Sequence, residues 1–245
     1  MPFILPARTL DTASYEIDNS LRFNDGDNPR LSKTYGSEGN RKTFSISFWQ
    51  KKATINHDND YIMAVQGSDD ATNFEVSNHS SQAMQIGLYH VNMIRTNRLF
   101  RDPSAWYHVM FFIDTTQASE SNRFKLYING VQETSFSQSN IPSQNADVGW
   151  GRAAATRIGN SEGNTSAIDA YLSEFYYIDG QAKAPTDFGE FNDNGVWIPK
   201  EYEGTYGSNG FFLEFKQTGT SADASGKGAD TSGNGNHFDD NNLAT

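Results

Sequence analysis

The chain has 245 residues and no cysteine, with 19 Lys and Arg against 30 Asp and Glu, a formal net charge of −11. That length can bury a substantial core as one all-β domain, while the missing thiol excludes disulfides, thiolate metal ligands and cysteine nucleophiles. The acidic balance argues against nucleic acid or an anionic membrane surface as a partner, and no segment approaches the roughly 20 apolar residues that cross a bilayer.

In chain order, MPFILPARTL has a short apolar run but neither a basic leader nor a long apolar core, so it predicts no secretion signal and a protein made in the cytosol. Residues 1–14 carry two prolines and no lasting periodicity, which predicts a docking arm. Ser20 to Phe23 reads as a short strand before the turn-rich Asn24-Asp25-Gly26-Asp27-Asn28-Pro29. Thr43 to Gln50 places Phe44, Ile46 and Phe48 inward and Ser45, Ser47 and Trp49 outward. Tyr61 to Val65 and Ala83 to Leu88 are shorter candidates.

The most informative stretch runs from Trp106 to Gln132, WYHVMFFIDTTQASESNRFKLYINGVQ. It predicts two strands separated by a polar loop and closed by Asn129-Gly130, a strong hairpin signal. Phe124, Leu126 and Ile128 share one face of the second strand. In the first, Val109, Phe111 and Ile113 share one face, yet His108, Met110 and Phe112 leave the other half apolar. A strand apolar on both sides predicts a mid-sheet position with cover over each face.

Thr156 to Gly159 and Tyr171 to Ile178 predict further strands, the latter with aromatics on both faces. In Ala184 to Phe191, Thr186 is a helix-start residue type and Gly189 limits the helix to about one turn. Gly210 to Lys216 predicts the last clear strand, and from Gln217 onward Gly, Ser, Asn and Asp dominate. The expectation is an all-β, two-sheet antiparallel jelly-roll sandwich with one short helical turn. Its divisions are an arm at 1–14, the sandwich at 15–216 and a Gly/Ser/Asn/Asp-rich C-terminal tail at 217–245.

The pieces SLRFNDGDNPRLS, TFSISFWQKK, WYHVMFFID…NRFKLYINGVQ and RIGNSEG…AIDAYLSEFYYIDG, in that order, resemble the concanavalin A-like, laminin-G-like jelly-roll superfamily over roughly residues 20 to 190. A narrower resemblance, to laminin-G-like proteins of tailed and often marine bacteriophages, extends over almost the whole chain. It is carried by MPFILPARTLDT, GNRKTFSISFW, DTTQASESNR, IDGQAKAPTDFGEF and GFFLEFKQTGTSADASGKGADTSGNGNHFDDNNLA. This resemblance implies a structural component of a phage virion, in a fibre or surface appendage. Such a protein would be made in the host cytoplasm without a signal peptide and released by lysis. It further implies a host surface glycan as ligand, other virion proteins as partners through the arm, and a homo-oligomer. A purely architectural joining protein and a glycan-cleaving enzyme are the alternatives. One departure concerns Asp230 to Asn236, DTSGNGN. Many laminin-G-like domains carry such an element after their first strand, and here it lies near the C-terminus. A permuted arrangement that closes the sheet is the expectation, and a strand opening a further domain is the alternative.

Candidate chemistry is sparse. Laminarinase-type hydrolases on this fold alternate Glu, Asp and Glu along a strand, and retaining enzymes hold two carboxyls about 5–5.5 Å apart. No such motif occurs here. The nearest pair, Glu174 and Asp179, is five residues apart and would point to opposite faces of a regular strand, so no enzyme is expected. His57, His79, His90, His108 and His237 are scattered without metal-binding or nucleophile-activating spacing. His108 is expected to be a packed or hydrogen-bonded sheet residue. Calcium, the one cofactor considered, would need several oxygens, which Asp25, Asp27 and Asn28, or Asp58 and Asp60 with Asn59, could offer. Asp69-Asp70 and Asp230 to Asn236 are further options, and turn chemistry accounts for all of these loops as well. For a sugar platform, Trp49 on the polar face of its strand, Trp150 in the Gly-rich VGWGR and Tyr89 are the candidates. Trp106 is expected to anchor the central strand instead. Core packing or a subunit interface competes for each aromatic.

Overall fold

Phe44, Ile46 and Phe48 are fully buried, as are Phe111 and Ile113, so the period-two rows read from the sequence do face a common interior. The computed structural model describes residues 15–55, 60–65, 67, 72–88, 91–161, 163 and 166–243. In chain order the strands are β1 (Leu21–Phe23), β2 (Arg30–Thr34), β3 (Thr43–Lys52), β4 (Asp60–Val65), β5 (Phe74–Asn78), β6 (Ala83–Leu88), β7 (Val91–Leu99) and β8 (Tyr107–Asp114). There follow β9 (Phe124–Ile128), β10 (Val131–Glu133), β11 (Phe136–Ser139), β12 (Ala155–Ile158), β13 (Ala170–Asp179), β14 (Gly189–Phe191), β15 (Trp197–Pro199), β16 (Phe211–Leu213) and β17 (Asp239–Asn241). Helical structure among the described residues is confined to three single 3-10 turns.

One sheet runs β1-β13-β3-β8-β9-β10, with β16 also paired to β13. The other runs β11-β7-β6-β5-β4-β12-β2-β17, and every strand pair in both is antiparallel. Phe44, Phe48, Phe111, Phe175 and Phe211 from the first sheet meet Ile62, Phe74, Val76, Ile86 and Ile158 from the second. Edge-to-face contact of Phe44 with Phe74, ring centroids 5.9 Å apart, joins the two layers. The fold is the two-sheet antiparallel jelly-roll sandwich expected.

Strand β8 sits mid-sheet between β3 and β9, as its two apolar faces require. Its outward Met110 joins a second apolar cluster with Tyr176, Ile178, Phe188, Tyr202 and Phe212. The 3-10 turn Pro185–Asp187 and the β14–β15 hairpin lie over this outer face, and Tyr176 stacks on Phe212 at 4.1 Å. This cover explains why Ser45 and Ser47, expected to face outward, are fully buried. Asn129 and Gly130 both have positive φ, 48° and 75°, which two-residue hairpins require. They join β9 to the short β10 and not the two long strands; β8 and β9 are connected by the polar loop.

The largest difference from expectation lies at the C-terminus. Residues 217–243 do not trail away as a tail. Strand β17 pairs with β2 at the edge of the second sheet, and Phe238 is fully buried against Phe211 at 4.9 Å. Lys227 donates to Asp240 Oδ2 at 2.7 Å with both side chains nearly buried. In DTSGNGN, Asp230 ties the loop down by accepting from the backbone N–H groups of Phe212, Ser232 and Asn236. Polar composition conceals this closure because the segment buries few but large apolar groups and satisfies its backbone through Asp and Asn side chains. The permuted closure is therefore what forms. The N-terminal arm at 1–14 lies outside the described residues.

Candidate functional site

The outer face of the first sheet carries a polar relay beneath an aromatic layer. Register places Ser173 of β13, Trp49 of β3 and His108 of β8 side by side. His108 is fully buried and its Nδ1 accepts from the Trp197 indole N–H at 3.0 Å. An indole N–H can only donate. Nε2 must then carry the imidazole proton and donate it to Ser47 Oγ, 2.8 Å away. Burial pushes the His108 pKa down to about 3, so the ring is neutral at any physiological pH. With its free lone pair already used, His108 cannot take a proton from Ser47. The pair orients Trp197; it does not make a nucleophile.

Above this relay lies a cavity of about 340 Å³, within the range of small-ligand pockets. Trp49, Trp106 and Trp197 form its aromatic lining, with Ser173 and Pro199 beside them. Trp49 lies 4.9 Å from the His108 ring, and Trp106 is 37% exposed. The remaining wall is the chain entering β1, Ile17 to Ser20. Ser173 Oγ donates to the Asn19 carbonyl and so fastens this entry strap to β13. Asp18 and Ser20 are exposed at the wall, and Ile17 and Asn19 are half-buried.

A second anchor lies one residue along β13. Glu174 has φ +50°, and the pairing of β13 with β3 shifts between Ser173 and Tyr176. This bulge is what reconciles the aromatics on both faces: Leu172, Phe175 and Tyr177 enter the main core while Tyr176 and Ile178 turn outward. The Glu174 carboxylate accepts from Tyr15 Oη at 3.0 Å and from Tyr176 Oη. Burial, with smaller contributions from Glu214 and Glu201, raises its pKa to about 7 against the opposing hydroxyl bonds. Asp179 is committed elsewhere, accepting from the backbone N–H groups of Asn40 and Asn209 and from Tyr177 Oη. Glu174 and Asp179 therefore do not converge.

Of the aromatics singled out from the sequence, Trp49 lines the cavity. Trp150 does not: it is 1% exposed and packs edge-on against Tyr177 in the core, because its loop folds inward between the sheets. Tyr89 lies outside the described residues. Trp106, expected to be an anchor, is the exposed member of the pocket. Trp197, one of the four tryptophans available to a sugar platform, has no periodic neighbour to place it on a face, and nothing in the sequence marks Ile17 to Asn19 as a wall of the same pocket. The outward position of Trp49, one pleat from Ser47, was the available signal.

The oxygen-rich loops serve as turns. Asn28 adopts φ +54°, and its Oδ1 accepts from Asn160 Nδ2 at 2.7 Å. Asp27 accepts from Asn24 Nδ2, and Asp25 opens the 3-10 turn. Asp60 is not on an open rim. It begins β4, is 2% exposed, and its charge partly opposes the burial that lowers the pKa of Lys52. Asp58, Asn59, Asp69 and Asp70 lie outside the described residues. Among the described residues no group of three or more His, Cys, Asp or Glu side chains is placed to hold a metal ion.

Among solved structures, the chain is similar to a Bacteroides ovatus ATCC 8483 protein described as a candidate carbohydrate-binding protein, with 14% identity and a TM-score of 0.57 over 92% of this chain. The chain spans 58% of that protein's length. It is also similar to a heptameric SAP-like pentraxin from Limulus polyphemus, with 17% identity and a TM-score of 0.47 over 67% of this chain and 77% of that one. Mouse laminin α1 domains LG4-5 give 14% identity and a TM-score of 0.46 over 71% of this chain and 48% of that one. These likenesses concern the fold. Comparison with curated proteins finds no match. A laminin-G family profile described as the concanavalin A-like lectin/glucanases superfamily matches residues 25–185, and the chain belongs to that superfamily.

Proposed function

We propose that this chain is a non-enzymatic carbohydrate-binding sandwich on the surface of a phage virion, where it displays the Trp49–Trp106–Trp197 pocket to a host glycan. The observation that carries the binding half is that pocket: three indoles, of which Trp106 is the most exposed, lining one cavity together with the Asp18 and Asn19 side chains. The virion half is supported by the phage-like wording along nearly the whole sequence. In this reading residues 1–14 dock to other virion proteins, and repetition of the chain in a homo-oligomer supplies avidity. Neither nucleic acid nor membrane insertion is part of the role. A catalytic role is disfavoured because Glu174, which has the raised pKa of a general acid, is 5% exposed and sealed by two tyrosine hydroxyls. An architectural role without host binding is the remaining alternative.

A glycan array read with the fluorescently labelled chain tests the binding half. Trp49→Ala and Trp106→Ala should each weaken the best glycan on the order of tenfold, with little change in melting temperature because both rings are partly exposed. Retained affinity in both variants would move the site away from this pocket. Immunogold labelling of intact particles tests the virion half, and an absence of surface label would refute it.

A further inference from the structure

We propose that Asp18 and Asn19 of the entry strap make this pocket select an uncharged, polyhydroxylated sugar ring over the carboxylated or sulfated form of the same ring. The inference rests on the carbohydrate reading above and adds the ligand's charge class and the residues that set it. The lining contributes indoles: Trp49 and Trp106 supply rings of the kind that pack on the C–H face of a pyranose, and Trp197 is fixed in place by His108. The strap contributes polarity. The Asn19 carbonyl is already used by Ser173, which leaves its side-chain amide, and Asp18 adds an exposed carboxylate. Among the described residues no hydrogen bond or ion pair engages either side chain.

A carboxylate accepts from two neighbouring hydroxyls at once, and an amide both donates and accepts, so together they read vicinal hydroxyl groups. Among the described residues neither lysine nor arginine lines the pocket. The nearest cations on this face by register, Lys51 and Arg22, stand one row beyond, level with Tyr171, and Arg22 is paired with Asp169. An anionic substituent brought into the pocket would therefore meet Asp18 with no counterion supplied by the described walls. Two like charges a few ångströms apart at a partly exposed site discriminate on the order of tenfold.

The test uses the full chain and an array of matched glycan pairs: neutral oligosaccharides beside their sialylated, sulfated or uronate counterparts, and methyl-esterified oligogalacturonide beside its free acid. The expected result is a preference of about tenfold or more for the neutral member. Asp18→Asn should narrow that preference and Asp18→Lys should reverse it; both substitutions fall on an exposed side chain and leave the core intact. Equal or better binding of the acidic members would overturn the inference while leaving the carbohydrate reading standing. A preference unmoved by either substitution would also overturn it. No binding to any glycan would refute the carbohydrate reading itself, and the inference with it.

Discussion

At the scale of single residues, Glu174 concentrates the unusual chemistry. A non-glycine residue at φ +50° in mid-strand costs free energy, and burying a carboxyl adds to it. Tyr15 and Tyr176 offset part of this by donating to one oxygen. The folded pKa of about 7 lies above the ordinary value of 4.5, so the neutral form is favoured by folding. The carboxyl's contribution is therefore complete below pH 4.5 and is lost as pH rises through about 7. The loss amounts to about 3 kcal/mol at 1.36 kcal/mol per unit. Urea denaturation from pH 4.5 to 8.5 should show Glu174→Gln lacking this decline, so that the variant gains on the native chain as pH rises. Parallel curves would refute the assignment. His108 behaves oppositely: with its folded pKa near 3, below the ordinary 6.5, it stays neutral in the fold and costs stability as pH falls below about 6.5, where the unfolded chain takes up the proton; its role is to aim the Trp197 indole.

At the scale of elements, the β9–β10 hairpin and the β14–β15 hairpin depend on each other. Gly130 has φ +75°, and a Cβ placed there would lie 2.2 Å from Trp197 Cε3. Gly130→Ala must therefore either distort the turn or expel the indole from its place over His108. The cost should exceed the ~1 kcal/mol usual for a left-handed alanine. It should also shift the Trp197 fluorescence and weaken ligand binding through the pocket's third indole. A variant with native stability and emission would show that the two hairpins pack independently. The elements also show what was legible in advance. Strands β3 and β9 were readable because their apolar residues alternate, and β8 because a short continuous apolar run marks a strand covered on both faces. The bulge in β13 was not, since it adds a residue between Leu172 and Phe175 and so breaks the period that would have revealed its register.

For the whole molecule, the C-terminal segment is the closure of the sandwich. The Lys227–Asp240 pair, at 5% and 3% side-chain exposure, fastens β17 beside β2. Removing one partner from a buried pair leaves an uncompensated charge, so Asp240→Asn should cost about 3–5 kcal/mol in denaturant unfolding. Replacing both partners with apolar residues, Lys227→Met with Asp240→Leu, should recover most of that loss. A double variant as unstable as the single one would mean that the charges themselves, and not their mutual compensation, hold the strand. The same closure leaves the outer face of the first sheet free to carry the pocket, with the incoming strap as one wall and the β14–β15 hairpin as another.

The sequence by itself determined the two-layer β architecture, the central position of β8 and the absence of thiol chemistry. Each of these follows from local periodicity or from composition, which need no partner to be read. Tertiary structure alone decided the site. It sent Trp150 into the core, brought Trp106 to the surface, and placed Trp49, Trp197 and residues 17–20 around one cavity. Those groups are separated by up to 180 positions, between Ile17 and Trp197, and only the pairing of β1, β3, β8 and β13, with the β14–β15 hairpin laid over it, brings them together. Burial of an aromatic depends on which layer covers it, and that covering layer is a long-range property.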